Sequence, residues 1–324
     1  MHYFGSVKFY KHLIFSVIFL FLIIPYIISL YFVIQNARLK DKLVYFQDNK
    51  IDYINSYIES KNINNFIKNK VEDILVSETI PESVLNENLL TNNTSFSYQN
   101  KYNELYVERD EFVLLNDNDK VAYLTFDDGP SDVTWDVLNT LEDYGIYAAF
   151  FVTYKDDAES LEIYKEIVNR GHTLAIHSSS LNYKEIYNSV DDFLEDFNKL
   201  FVHIYNITGI KPKIFRFPGG SINPYNYNIY NQLHAEMLRR GFIFYDWNVS
   251  SGDADYSVTK DSIIKSVTES LEGKNKAIVL MHDSAKKKTT AATLSEVIEL
   301  IKNKGYRFEK LDNTVYPITF SYTN

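Results

Sequence analysis

Leu124-Thr125-Phe126-Asp127-Asp128-Gly129-Pro130-Ser131 closes an apolar run that begins at Val121. Val121–Phe126 has the texture of a buried strand, and Gly129-Pro130 forbids its continuation. Asp127 and Asp128 therefore fall at the C-terminal end of a strand, the edge where α/β folds keep their chemistry. Neighbouring side chains there point different ways, so one carboxylate can bind a metal while the other faces a substrate. The plainer reading is a turn followed by a helix from Val133, capped by Ser131 or Asp132. The stretch alone leaves both open.

Upstream, Leu13–Ile34 carries no charged residue and would span about 33 Å as a helix, enough to cross a bilayer core. No Ala-x-Ala cleavage pattern follows it, so the sequence predicts an N-terminal membrane anchor over 1–35. Residues 36–105 read as a partly helical stalk and an Asn/Ser/Thr-rich linker. Residues 106–324 read as the catalytic domain. The chain has no cysteine, which excludes disulfides, thiolate metal sites and a cysteine nucleophile. A net charge of −10 argues against a nucleic-acid partner.

After Tyr106, short apolar runs alternate with amphipathic ones. Strands are predicted at Val121–Phe126, Ala148–Thr153, Thr173–Ile176, Lys213–Phe217, Phe242–Trp247, Ala277–Met281 and Tyr306–Leu311. Helices are predicted at Val133–Asp143, Ala158–Asn169, Lys184–Tyr205, Asn228–Arg239, Asp261–Leu271 and Thr290–Lys302. This alternation predicts an α/β fold with a mainly parallel sheet, better suited in this length to a barrel than to a small open sheet. Polar clusters end several of these strands: His177-Ser178-Ser179-Ser180-Leu181, Arg216-Phe217-Pro218-Gly219-Gly220-Ser221, Asp246-Trp247-Asn248 with Asp253 shortly after, and Met281-His282-Asp283. Each alone has an innocent reading. Together on one edge they describe a site.

From about Val121 to Leu311 the chain resembles the polysaccharide deacetylases, carbohydrate esterase family four. Thr125-Phe126-Asp127-Asp128-Gly129-Pro130-Ser131 is the most specific part of the resemblance. It implies a distorted (β/α) barrel and a metal-dependent hydrolase that removes acetyl groups from an N-acetylated polysaccharide. The metal would be divalent, zinc first, with cobalt, nickel and manganese as alternatives. By resemblance, Asp127 is the general base, Asp128 and His177 are metal ligands, and His282 is the general acid. Arg216 would orient Asp127, and Asp246 would hold His282 in the required tautomer. Trp247 and Leu280 would wall the acetyl-methyl pocket, with Pro218 and Gly219 also at the substrate. The Gly219 backbone N–H would help stabilise the oxyanion, a role that a glycine in place of the family's frequent aromatic residue does not abolish.

The match breaks at Leu181. The family places a second histidine four residues after His177, a spacing that puts both imidazoles on one face if that stretch is one helical turn. His172 precedes His177 by five and is expected to project elsewhere. Two expectations follow. One is a membrane-anchored deacetylase of N-acetylglucosamine in peptidoglycan, with its catalytic domain outside the cell. The other is a catalytically impaired relative that binds glycan or acts as a scaffold.

Overall fold

The computed structural model describes residues 96–113, 119–255 and 257–320. The expected membrane anchor and most of the stalk lie outside these residues. Among the described residues no helix is long and apolar enough to cross a membrane.

The described chain forms β1 (Val121–Asp127), α1 (Asp132–Tyr144), β2 (Ala148–Thr153), α2 (Ala158–Asn169), β3 (Thr173–Ser178), α3 (Tyr183–Ile186) and α4 (Val190–Thr208). It continues through β4 (Ile214–Phe215), α5 (Tyr230–Arg239), β5 (Ile243–Phe244) and β6 (Val249–Ser250). It ends with α6 (Lys260–Ser270), β7 (Lys276–His282), α7 (Lys288–Asn303) and β8 (Arg307–Phe308). The strands make one sheet in the order β5-β4-β3-β2-β1-β7-β6, with β8 added beside β1. Every strand pairing in it is parallel. The expected barrel is thus an open, curved one: β5 and β6 are the two ends of the strand path.

Two apolar cores explain the strand sequences. On β1, Ala122, Leu124 and Phe126 join the larger cluster beneath the helices, whereas Val121 and Tyr123 join a smaller cluster on the other face. Burial on both faces is why the strand reads as a continuous apolar run rather than an alternation. The two-residue period then assigns Thr125 and Asp127 to the face of Val121 and Tyr123. The same parity on β7 sets Leu280 and His282 with Ile278, and on β3 sets His177 with Ala175.

The helix ends follow local chemistry. Ser131 is the N-cap of α1, its Oγ accepting the Val133 N–H at 3.1 Å, so the capping reading of the Asp-Asp-Gly-Pro-Ser turn is also correct. Gly145 and Gly209 take left-handed C-cap conformations after α1 and α4. The single helix expected over Lys184–Tyr205 is two helices, because Ser189 breaks the run and caps α4 by accepting the Asp192 N–H.

The compact unit also begins earlier than the expected boundary at 106. Tyr98 and Leu105 are buried. The fully buried Arg240 donates to the carbonyls of Tyr98, Lys101 and Tyr102 at 2.9–3.1 Å. This segment shows no strand or helix periodicity, so the sequence pattern assigns it to a linker; it is attached by Tyr98 and Leu105 in the larger apolar cluster and by its carbonyls on Arg240.

Candidate active site

The parallel register sets Asp127 beside His282 at the ends of β1 and β7. Asp127 is 3 % exposed, and its Oδ1 accepts from Arg216 Nη1 at 2.7 Å. Arg216 directly follows β4 and is fully buried. Its Nη1 also donates to Thr125 Oγ1 at 2.9 Å and its Nε to the Tyr245 carbonyl at 2.8 Å. The guanidinium stacks on Phe151, 4.2 Å from the ring centroid. A buried cation with this many fixed contacts cannot move, and the Asp127 carboxylate is held with it. Arg216 is thus placed against Asp127, the residue it was expected to orient.

Asp128 has φ +71°, a left-handed backbone that re-aims its side chain away from the strand alternation. Its Oδ1 lies 3.5 Å from His177 Nε2. Asp127 Oδ2 is 4.0 Å from the same nitrogen. His177 Nδ1 stands 2.9 Å from the Arg216 carbonyl, which can only accept, so Nδ1 carries hydrogen and Nε2 is the ring nitrogen that faces the two carboxylates. A metal ligand needs its hydrogen on the far nitrogen in this way. An ion at the usual distance of about 2.0–2.2 Å from each donor would leave Asp128 and His177 about this far apart. These two residues fit a metal site.

The set stops there. Among the described residues no group of three or more His, Asp or Glu is placed to hold a metal ion. Residues 177–181 do not make the helical turn that the four-residue spacing suggested. His177 lies on β3, the chain then bends, and Leu181 has φ +55°. Asp196 fixes this loop, accepting from Ser178 Oγ and the Ser179 and Ser180 N–H groups at 2.8–2.9 Å. Leu181 is half-exposed and belongs to neither apolar core. His172 accepts the Ala148 N–H at the opposite end of the sheet, and burial pushes its pKa down to about 4.

His282 corrects the sequence reading. Its Nδ1–H donates to Asp253 Oδ1 at 2.7 Å, and its backbone N–H donates to Asp253 Oδ2 at 2.8 Å. Thr290 Oγ1 also donates to Oδ2. Burial works against charge on the imidazole, but the Asp253 hydrogen bond and charge, helped by Asp127 and Asp128, outweigh it and raise the His282 pKa. Asp253 responds oppositely: burial raises its pKa, but the bonds and charge of His282 bring it below the usual value.

Asp246, expected to orient His282, is committed elsewhere. Its carboxylate accepts from Ser221 N and Oγ at 2.7 and 2.5 Å and from Phe320 N at 2.5 Å. Strand parity gives the reason. Ile243 and Tyr245 lie in the inner cluster, so Asp246 alternates away from it. Burial raises its pKa despite those donors. Trp247 packs on the inner cluster and on Phe320, ring centroids 4.8 Å apart. Leu280 is in register with Thr125, buried at the inner face. The Pro218 carbonyl accepts from Tyr187 and Asn223, and Gly219 takes φ +78°. Among the described residues the Gly219 N–H has no hydrogen-bond partner.

A buried carboxylate on an arginine, a second carboxylate beside an imidazole, and a carboxylate-backed histidine are the groups that acid–base hydrolysis needs. Comparison with known proteins narrows the class. The polysaccharide deacetylase family profile matches residues 115–238. A peptidoglycan-N-acetylglucosamine deacetylase of Bacillus cereus is 30 % identical over 213 residues, 63 % of this chain and 74 % of that protein. A putative polysaccharide deacetylase of Bacillus subtilis, YheN, is also 30 % identical, over 63 % of this chain and 71 % of its own. Among solved structures, the catalytic domain of a peptidoglycan N-acetylglucosamine deacetylase from Eubacterium rectale aligns with a TM-score of 0.60 at 33 % identity, covering 67 % of this chain and 98 % of that one. The chain belongs to the polysaccharide deacetylase family. Its fold and site are of the deacetylase-type hydrolase class to which those relatives belong.

Proposed function

We propose that the protein removes acetyl groups from N-acetylglucosamine in peptidoglycan, with a divalent metal, zinc first among the candidates, held by Asp128 and His177. The observation that carries this reading is the pair of opposed acid–base groups, Asp127 on Arg216 and His282 on Asp253, flanking those two donors. The specific substrate is supported by the activity named for the Bacillus cereus and Eubacterium rectale relatives.

The residues divide the reaction between them. Arg216 occupies Asp127 Oδ1, which leaves Oδ2 to take a proton from the attacking water as its oxygen bonds to the acetamide carbon. The Gly219 N–H is available to the oxygen that becomes negative in the tetrahedral intermediate. His282, held through Nδ1 and favoured in its protonated form by Asp253, donates from Nε2 to the amine nitrogen as the C–N bond breaks. Acetate and a free amine result. A divalent cation, when bound, supplies Lewis acidity at the carbonyl oxygen. Leu280 and Trp247 wall the acetyl methyl in this reading.

Leu181 favours a second reading, a member of the family that binds glycan without turning it over. Metal content and acetate release of the full chain, beside Leu181→His, separate the two. About one metal per chain and acetate release by the unmodified protein support the enzyme. A metal-free, inert protein that gains both properties with Leu181→His supports the second reading.

For location we propose a single N-terminal anchor at Leu13–Ile34 with the catalytic domain outside the cell, supported by the charge-free apolar run and by a substrate that lies outside the membrane. Protease treatment of intact cells tests it: a protected C-terminal domain overturns the arrangement.

A further inference from the structure

Tyr183 opens α3, two residues after Leu181 and outside every motif that carries the family resemblance. Its ring covers the bare α-carbon of Gly219: a β-carbon there would stand 3.0 Å from Tyr183 Cε2 and 3.6 Å from Cζ. The hydroxyl end of the ring therefore lies against the turn that presents the Gly219 N–H. Burial first, and then the charges of Asp128 and Asp127, push the phenol pKa up to about 12, so it stays protonated and can donate.

Two further tyrosines brace it. Tyr187 packs edge-on at 6.2 Å and is itself tied to the Pro218 carbonyl by a 2.8 Å hydrogen bond. Tyr225 also packs edge-on, at 5.5 Å, and is 50 % exposed. The Tyr183 ring is thus held at the edge of the catalytic site. Its hydroxyl makes no hydrogen bond within the described residues. A rigid aromatic with an unspent donor, beside an exposed tyrosine, suits a pyranose ring, which offers an apolar face and hydroxyls at its rim.

We propose that Tyr183 is a substrate-contacting, specificity-determining residue that donates its hydroxyl to the sugar at the Asp127–Asp128 site, with Tyr225 extending the aromatic wall to the next sugar. Tyr183 occupies the space that any side chain at 219 would need, so it contributes from α3 what that turn lacks. This assignment rests on the glycan reading above.

The test compares the full chain with Tyr183→Phe and Tyr225→Ala, using an N-acetylglucosamine tetramer and its fully de-N-acetylated form as probes. Loss of one hydroxyl donor should raise KM, and Kd for the acetylated tetramer, about fivefold, with kcat within about twofold and an unchanged melting temperature. Tyr225→Ala should weaken binding of the tetramer more than of a monosaccharide. If the unmodified protein binds the tetramer and Tyr183→Phe leaves both constants alone, or only lowers the melting temperature, the assignment falls and the glycan reading stands. If the unmodified protein neither binds the tetramer nor releases acetate, both fall.

Discussion

His282 Nδ1 and Asp253 Oδ1 are 2.7 Å apart, and the second oxygen of the same carboxylate holds the His282 backbone N–H. Asp253 therefore fixes both the ring and its place on the strand. A general acid must be protonated to work, so activity falls as pH rises past its pKa. Asp253→Asn removes the charge that raises that pKa; the basic limb of the kcat/KM profile should move to lower pH, with a loss of about 10²-fold. Asp246→Asn should leave that limb in place and instead lower stability by about 1–3 kcal/mol, because it disturbs buried donors. Equal movement of the limb in both variants would reject the assignment.

The same pair gives stability a pH dependence. His282, raised in the fold, contributes fully below its unfolded value near 6.5 and loses that contribution as pH rises through the folded value. Asp253, lowered in the fold, contributes above its unfolded value near 3.8 and loses it as pH falls through the folded value. The stability difference between the unmodified protein and Asp253→Asn should be widest between those limits and narrow as pH rises through the folded His282 value. Urea denaturation across the range measures it.

Arg216 and Asp127 are both buried, so removing either leaves a charge without its partner. Arg216→Met should destabilise by about 3–5 kcal/mol and abolish activity. Arg216→Lys should also fail, since one ammonium cannot serve Asp127, Thr125 and the Tyr245 carbonyl in the planar arrangement of a guanidinium. Denaturation midpoints and acetate release report the two effects separately.

Gly241 joins the N-terminal segment to the domain. A β-carbon there would stand 1.9 Å from the Val107 carbonyl oxygen, and its φ of +90° strains any other residue. Gly241→Ala should lower stability by at least about 1–3 kcal/mol and expose the chain before residue 107 to proteolysis. Unchanged protease resistance would show that this segment is not part of the folded unit.

Much of this was legible where side chains alone decide the outcome. β2 and α2 have the expected bounds, Ala148–Thr153 and Ala158–Asn169, because both faces of the strand are buried and the helix has Asp157 as an N-cap. Lys213–Phe217 and Phe242–Trp247 were expected as full strands, but each pairs over only two residues. Of their remaining apolar residues, Phe217 and Phe242 join the aromatic core around Phe193 and Phe197, whereas Tyr245 and Trp247 pack on the smaller cluster. β6 was missed, since Val249–Ser250 sits in a polar stretch and is a strand only through its pairing with β7.

At the site, Asp127, Asp128, His177, Arg216 and His282 stood out as polar residues at strand ends, and the roles expected of them came from the family resemblance. The choice between Asp246 and Asp253 was not, because both carboxylates follow the same edge. Alternation beyond Tyr245 was the available signal. Tyr183 carried none, as only the packing of α3 on Gly219 brings it to the site.

The most direct measurement is acetate release from an N-acetylglucosamine tetramer by the full chain, with and without a chelator, beside Asp127→Asn. Metal-dependent release that falls by about 10²–10⁴-fold in the variant is the expected result. No release with any added divalent metal, or release that Asp127→Asn leaves unchanged, would contradict the account.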